Sequence, residues 1–418
     1  MLRIITNKKE ASQESFSLLD EIAREGARKM LAYALEFEAN FYIEEHRHLR
    51  DEKNRALVVG NGVGKERNVT FGSGTVAIKA PRVNDRRENE KFISCILPPY
   101  LRKSPKVETL LPLLYLKGLS GLDMEPALRD FLGDGATLSP STITNLKKKW
   151  EEDFSIWKKE KITEEFVYIW VDGINLRIRL GEDNKICLLV VIGVNAKGEK
   201  KLLAAEAGYR ESKDSWAAVL RDLRDRGFKG PLVAVGDGAL GFWAALRAVD
   251  GFAKTKEQRC WVHKIANVLD KLPKRLQPRA KGMLHEMMRA ESRAAAGKIK
   301  RKFAEEFHAK YASAVECLEK DWAELTVYFD FPAEHWKQLR TTNPIESTFA
   351  TVRLRTTITK GAGSATAAKT MAFKLLQEAE KRWNKINGVE QIENILQGVA
   401  YKDGVMVPTK SSQEAPAA

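Results

Sequence analysis

Three acidic residues stand out, two of them where an acid is costly. Asp172 follows Trp170-Val171 in a stretch otherwise made of strand formers, and Asp237 ends the apolar run LVAVGDG. Strands deplete Asp, and a carboxylate on a central strand needs a cation or hydrogen bonds to be tolerated. If the two strands are neighbours, both carboxylates share one small volume, repel each other and invite a divalent metal. The third acid, Glu346, follows Asn343-Pro344 in RTTNPIESTFATVRLR. A helix is expected to start there, so Glu346 lies in a first turn that can aim at the sheet. Oxygen donors of this kind suit Mg2+, with Mn2+ substituting. Two such ions about 3.5–4 Å apart can hold the attacking and leaving oxygens of an in-line phosphoryl displacement. Any one of the three acids alone is weak evidence, because a lone carboxylate on a strand is more often satisfied locally.

The elements that must position these acids begin at Phe166. VYIWVDGINLRIRL alternates, CLLVVIGVNAKGEK reads as a buried strand into a Gly turn, and KLLAAEAGY reads as a third strand. Short turns between them make an antiparallel meander. A helix follows from Lys213 to Arg226 with Trp216, Val219, Leu220 and Leu223 on one face, then the strand ending in Asp237, then a helix from Leu240 to Val249. Three antiparallel strands, a helix, a strand and a helix is the order of a ribonuclease H-like α/β fold, although the order alone leaves other mixed α/β folds open. Lys264 to Tyr328 is helical and very basic, with no strand pattern before Val327, and reads as an all-helical insertion.

Ahead of this domain, residues 13–57 read as helical. Ala27, Met30, Ala34, Phe37 and Phe41 recur at three- and four-residue steps, widened by Leu31, Leu35 and Tyr42, as in a packing helix. Val69, Phe71, Val76 and Ile78 flank Gly72-Ser73-Gly74 as a hairpin. The stretch from Lys79 to Lys91 is basic, suited to phosphates or to a solvated linker. Three short helices follow: Val107 to Lys117, Asp123 to Leu132, and one started by Ser139-Pro140. The third carries Ser141, Thr142, Thr144 and Asn145, then Lys147, Lys148 and Lys149. Short polar side chains followed by lysines suit entry into a DNA major groove with phosphate contacts behind, so a helix-turn-helix is expected, against a plain three-helix packing unit.

Composition agrees with a nucleic-acid partner. Lys plus Arg number 70 against 56 Asp plus Glu, a net charge of +14, in a chain of 418 residues. No apolar run reaches the roughly 18 residues of a membrane span. No signal-like apolar core follows Lys8 and Lys9, so a cytoplasmic address is expected. The four cysteines share no CxxC spacing, which argues against a disulfide framework.

With these residues in view, the chain resembles the Mutator-like transposases of bacterial insertion sequences, from about Ala27 to about Val399. The resemblance is carried in order by GARKMLAYALEFE, KAPRVNDRR, LPPYLRKSPKVETLLPLLYLKGLS, WVDGI, VGDGALGFWAAL, RCWVHKIANVL and HWKQLRTTNPIESTFATVRLRT. It implies that Asp172, Asp237 and Glu346 form the metal-binding catalytic triad of a ribonuclease H-like domain, with a helical insertion in the 109 positions between the last two. It implies double-stranded DNA as partner, both terminal inverted repeats and target, and a homodimer or larger assembly. The family's Cys-x-x-His motif is matched by Cys260 and His263. One Cys and one His are half a zinc site, and no second such pair follows, so zinc is not expected. His263 instead suits a place near the scissile phosphate or at a domain boundary.

Arg340, Asn343 and Arg353 also match the family pattern around Glu346, as phosphate contacts or as structural salt bridges. Trp322 and Trp336 suit either base stacking or the core. The expected division is residues 1–60 helical, 61–105 β-rich and basic, 106–160 helix-turn-helix-like, 161–263 with 337–400 catalytic, 264–336 insertion, and 401–418 a tail with a disordered end. Two further readings stay open: a domesticated DNA-binding protein without chemistry, and a nuclease of the same fold that cleaves without joining.

Overall fold

The computed structural model describes residues 8–408 apart from 120, 133–140, 180–184, 209, 239 and 359. The chain divides into two compact units, one ending at Leu146 and the other starting at Lys147.

The first unit opens on a long helix, α1 (Lys8–Glu45). Leu35 and Ala39 of α1 are buried, and Leu35 packs with Val69, Val76, Ile78 and Leu97. Of the stripe that the sequence offered for packing, Leu35 and Leu31 face this cluster, while Met30, Phe37 and Phe41 are turned outward, 73%, 64% and 62% exposed. Both faces of α1 carry apolar residues, so the helical period alone does not select the buried one. β1 (Val58–Val63) pairs antiparallel with β4 (Pro81–Asp85), and β2 (Arg67–Phe71) with β3 (Gly74–Ile78). The latter pair is the expected hairpin, closed by Phe71 opposite Gly74. Three helices follow: α2 (Pro105–Lys117), α3 (Gly121–Leu132) and α4 (Ser141–Trp157). Ser104 caps α2 by accepting from the Val107 N–H, and Pro105 fills the first position, where its missing donor costs nothing. Val107, Leu111, Met124, Leu128 and Leu132 form a small core. Ser139-Pro140, expected to start the third helix, lie outside the described residues.

In the second unit the later part of α4 buries Trp150 and Phe154. The meander follows as β5 (Phe166–Arg177), β6 (Lys185–Asn195) and β7 (Lys200–Gly208), then α5 (Lys213–Asp225), β8 (Val233–Gly236), α6 (Leu240–Ala248) and β9 (Lys256–Arg259). These make a five-stranded mixed sheet in the order β7-β6-β5-β8-β9. The first three strands are antiparallel; β8 and β9 run parallel to β5. β5 is central and flanked on both sides, which is why its run is almost continuously apolar. β9 was not visible in the sequence, since KEQR is polar throughout. Its Gln258 is nonetheless fully buried, donating to Leu325 O and accepting from the Tyr328 N–H at 2.8 Å.

Side-chain alternation on β5 divides the sheet's two faces. Ile169 and Val171 join Trp216, Leu220 and Phe242 in the core under α5 and α6. Tyr168, Trp170 and Asp172 point the other way, where the Trp170 indole donates to Gln338 O at 3.0 Å. Helices from the C-terminal part of the chain cover that face. α7 (Trp261–Leu269), α8 (Gln277–Arg289), α9 (Arg293–Lys320) and α10 (Trp322–Leu325) form the expected helical segment, and Val327–Asp330 is a 3₁₀ turn. α11 (Trp336–Leu339), α12 (Asn343–Ile358) and α13 (Ala365–Glu380) return to the sheet, α12 packing on β5 and α13 on β7. After α14 (Gln391–Leu396) the chain forms a small hairpin, β10 (Tyr401–Lys402) with β11 (Val405–Met406), within the segment read as a tail.

Candidate active site

The parallel pairing of β5 and β8 sets the first two acids side by side. Val171 is in register with Gly236, so Asp172 and Asp237 are the next residues along neighbouring strands, whose spacing is about 4.8 Å. Each is followed by glycine, and each accepts from that glycine's N–H. A side chain on either glycine would have to displace a charged neighbour. A Cβ on Gly173 would lie 2.4 Å from the Glu211 carboxylate, and one on Gly238 would overlap the Arg259 guanidinium.

The third acid comes from α12. Thr342 caps this helix with its carbonyl, taken by the N–H groups of Ile345 and Glu346. Its hydroxyl lies 2.6 Å from Glu346 Oε1 as donor, fixing the carboxylate one turn on. Thr342 is fully buried, and its N–H points to Cys260 Sγ at 3.4 Å. The start of α12 is thereby tied to the residue that ends the sheet.

His263, in the first turn of α7, brings the acids into one site. Its Nδ1 is 4.0 Å from Asp237 Oδ1 and its Nε2 is 3.8 Å from Glu346 Oε1. Its pKa is raised from the ordinary 6.5 to about 9, chiefly by the Cys260 thiol beside it, against burial and with help from Asp237 and Glu346. Burial alone would push the Cys260 thiol up, but His263 and Thr342 outweigh it and bring it below its ordinary value. Asp172 is pushed up to about 7, first by burial and then by the charges of Glu211 and Glu346, while the Gly173 N–H and His263 pull it back.

Arg259 adds the remaining cation. It reaches Asp237 at 3.3 Å and Asp321 at 3.2 Å, and Asp321 also pairs with the buried Lys264. Lys264 in turn donates to Cys317 O at 2.8 Å. A line of alternating charge therefore links Asp237 to α9. Arg259, Thr342 and Glu211 were missed by sequence reasoning. Arg259 directly precedes the Cys-x-x-His pair, which was a usable signal; Thr342 and Glu211 sit in polar stretches that gave none.

The other sequence candidates fall in different places. The Arg340 guanidinium is spent on the carbonyls of Met288 and Trp336 and stacks over Tyr328, the structural alternative. Asn343 and Arg353 are exposed on α12, three residues before and seven after Glu346, which puts all three along one helix face. Trp336 is 8% exposed, donates to Phe331 O and packs against Tyr328 and Phe329, so it is core. Trp322 is half-buried, edge-on to Trp261, with the Lys300 ammonium 5.2 Å from its ring. On α4, Ser141, Thr144, Asn145, Lys148 and Lys149 are exposed, whereas Thr142 and Lys147 are half-buried.

The donor set suits a cation. Asp172 and Asp237 lie on neighbouring strands, His263 joins Asp237 to Glu346, and burial with the nearby acids already raises Asp172, a cost that a divalent ion would relieve. The sequence count of zinc donors stopped at Cys260 and His263; the fold adds Glu346, so that sulfur, nitrogen and oxygen lie within 4.8 Å of one another. Cys260 is fully buried and already faces the Thr342 N–H and hydroxyl, which makes the oxygen set the more open one. No described helix is long and apolar enough to cross a membrane.

Comparison with known proteins gives the family of the chain. The family described as "Transposase, Mutator family" matches residues 3–386. The chain is 49% identical over 296 residues to the transposase for insertion sequence element IS6120 of Mycolicibacterium smegmatis, covering 71% of this chain and 91% of that protein. It is 47% identical over 284 residues to the transposase for insertion sequence element IST2 of Acidithiobacillus ferrooxidans, covering 68% and 95%. A more distant relative, the transposase for IS406 of Burkholderia multivorans, is 26% identical over 396 residues, covering 91% and 97%. A match spanning both compact units, and similarity of nearly half to two relatives over most of their length, leave one assignment: the chain belongs to the Mutator family of transposases.

Proposed function

We propose that the chain is the transposase of an insertion sequence and cuts and joins DNA at Asp172, Asp237 and Glu346. The observation that carries this reading is His263 set within 4.0 Å of both Asp237 and Glu346, with Asp172 on the strand beside Asp237. The strand order and the change from antiparallel to parallel pairing at β5 support a ribonuclease H-like catalytic domain interrupted by the helices between His263 and α11.

In this reading Asp172, Asp237 and Glu346 hold Mg2+, or Mn2+ in its place. The bound ions supply electrostatic stabilisation of a phosphodiester undergoing in-line displacement. Water first displaces the 3′-oxygen at the element's end, leaving a free 3′-hydroxyl. That hydroxyl then attacks a target phosphodiester, releasing a target 3′-hydroxyl. Thr342 orients Glu346 through both steps, and His263 keeps a positive charge beside two of the acids near neutral pH. Arg259 fixes the rotamer of Asp237. Asn343 and Arg353, exposed on the Glu346 face of α12, are placed to touch the DNA backbone, and Trp322 offers part of a ring to an unstacked base.

The terminal inverted repeats fall to the first unit and α4. The exposed Ser141, Thr144 and Asn145 read bases while Lys148 and Lys149 take phosphates, in the manner of a helix-turn-helix. Two element ends require two copies of the chain. The test is incubation of purified protein and Mg2+ with end-labelled DNA carrying the element's termini, beside Asp237→Asn. Cleaved and joined products from the wild type alone are expected. Cleavage without joining selects a nuclease, and DNA retention by both proteins without products selects a binding protein.

A further inference from the structure

The site holds a fourth acid that the three-acid reading does not use. Glu211 lies between β7 and α5, and its side chain extends back over β5. A Cβ built on Gly173 would be 2.4 Å from Glu211 Oε1 and 2.7 Å from its Cδ. The carboxylate therefore rests on the residue next to Asp172, in a space that glycine leaves open. The backbone of Glu211 is fixed as well. A Cβ on Gly241 would be 2.1 Å from Glu211 O, so the segment lies on the first turn of α6, just beyond Asp237. Ser212 then caps α5 by accepting from the Ser215 N–H at 3.2 Å. Glu211 is thus clamped between the two elements that carry Asp172 and Asp237.

A half-buried carboxylate in such a place normally has a cation or several donors. Among the described residues no hydrogen bond or ion pair reaches the Glu211 carboxylate. Among the described residues no protein group accounts for an acid at this spot, whereas a divalent ion between the strands would.

We propose that Glu211 is a fourth oxygen donor of the metal site, facing the divalent ion together with Asp172 and Asp237. The proposal rests on the reading of Asp172, Asp237 and Glu346 as metal-holding acids. Two substitutions probe it from opposite sides. Glu211→Gln keeps the shape and removes the charge. Gly173→Ala changes none of the acids in sequence and pushes the Glu211 carboxylate away, which a flexible side-chain end can accommodate.

The experiment is calorimetric titration of Mn2+ into the full-length protein, with Asp172→Asn as reference and melting in EDTA as a check on folding. Glu211→Gln and Gly173→Ala are expected to weaken Mn2+ binding at least about tenfold, and Glu211→Gln to melt no lower than wild type in EDTA. Wild-type affinity in both, with binding lost in Asp172→Asn, overturns the proposal and leaves Glu211 a structural residue. Wild-type affinity in Asp172→Asn as well overturns the three-acid reading itself, and this proposal with it. Should Glu211→Gln not fold, Gly173→Ala alone decides between these outcomes.

Discussion

Without a divalent ion, Asp172 destabilises the protein that carries it, and the size of that effect comes from its surroundings. Its pKa rises from the ordinary 3.8 to about 7, chiefly through burial, and then through Glu211 and Glu346. A carboxyl whose pKa is raised by folding opposes folding when ionised. The cost is absent below the unfolded value near 4, grows as pH rises through the interval, and is complete above about 7. At roughly 1.4 kcal/mol per pH unit, the interval sets a ceiling of about 4 kcal/mol. Screening by water and coupling to the neighbouring acids reduce this, so about 2–4 kcal/mol is expected. Asp172→Asn should therefore be more stable than wild type by that amount in urea unfolding at pH 8 in EDTA, and nearly equal to it at pH 4. Adding Mg2+ should stabilise wild type and leave the variant unchanged, reversing their order at high enough concentration. An Asp172→Asn protein that is less stable than wild type at pH 8 in EDTA would refute the reasoning, since it would mean that the carboxylate is satisfied by the protein alone.

Three other expectations can be checked separately. Removing the donor to Glu346 in Thr342→Val should lower strand cleavage about 10- to 100-fold, with Thr342→Ser restoring most of it, in an oligonucleotide assay with Mg2+. His263 gains stability from its raised pKa, fully present below about 6.5 and lost as pH climbs through about 9; that slope should vanish from unfolding curves of His263→Gln. Replacing Lys148 and Lys149 by alanine should weaken binding to terminal DNA and flatten its salt dependence by about one to two units on a log–log plot.

How much of this was legible in the sequence differs by residue. Asp172 and Asp237 were visible because an acid among Val, Ile and Trp is an outlier, and the order of the strands told which ones could be neighbours. Glu346 was visible through the helix start that precedes it. Glu211 was hidden for the opposite reason: in RESKDS an acid is ordinary, and only the packing of the turn on Gly173 and Gly241 makes it unusual. β9 was hidden because its polar residues satisfy one another and the helical segment rather than an apolar core. α1 shows the limit of periodicity, since a helix with apolar residues on two faces has one amphipathic signal and two possible orientations. Trp336 and Trp322 were equal in sequence, and only burial separates them.

The hydrogen bond from the Trp261 N–H to Arg340 O, 2.9 Å long, has a bearing on how such a chain can change. The chain between these two residues leaves the end of the sheet and comes back to it there, touching the sheet on the way through Leu325, Tyr328, His335 and Gln338. Glu346 is therefore close to Asp237 because of where the chain re-enters, whatever path it takes meanwhile. The entropy of closing such a detour grows only with the logarithm of its length, so doubling it costs about 0.6 kcal/mol. A peptide spliced in at the exposed Lys274, between α7 and α8, would lengthen the detour and leave the acids in place. The exposed turn at Lys274 is in this sense a place where a transposase can acquire new surface for DNA or a partner while His263, Lys264 and Asp321 keep their positions at the site.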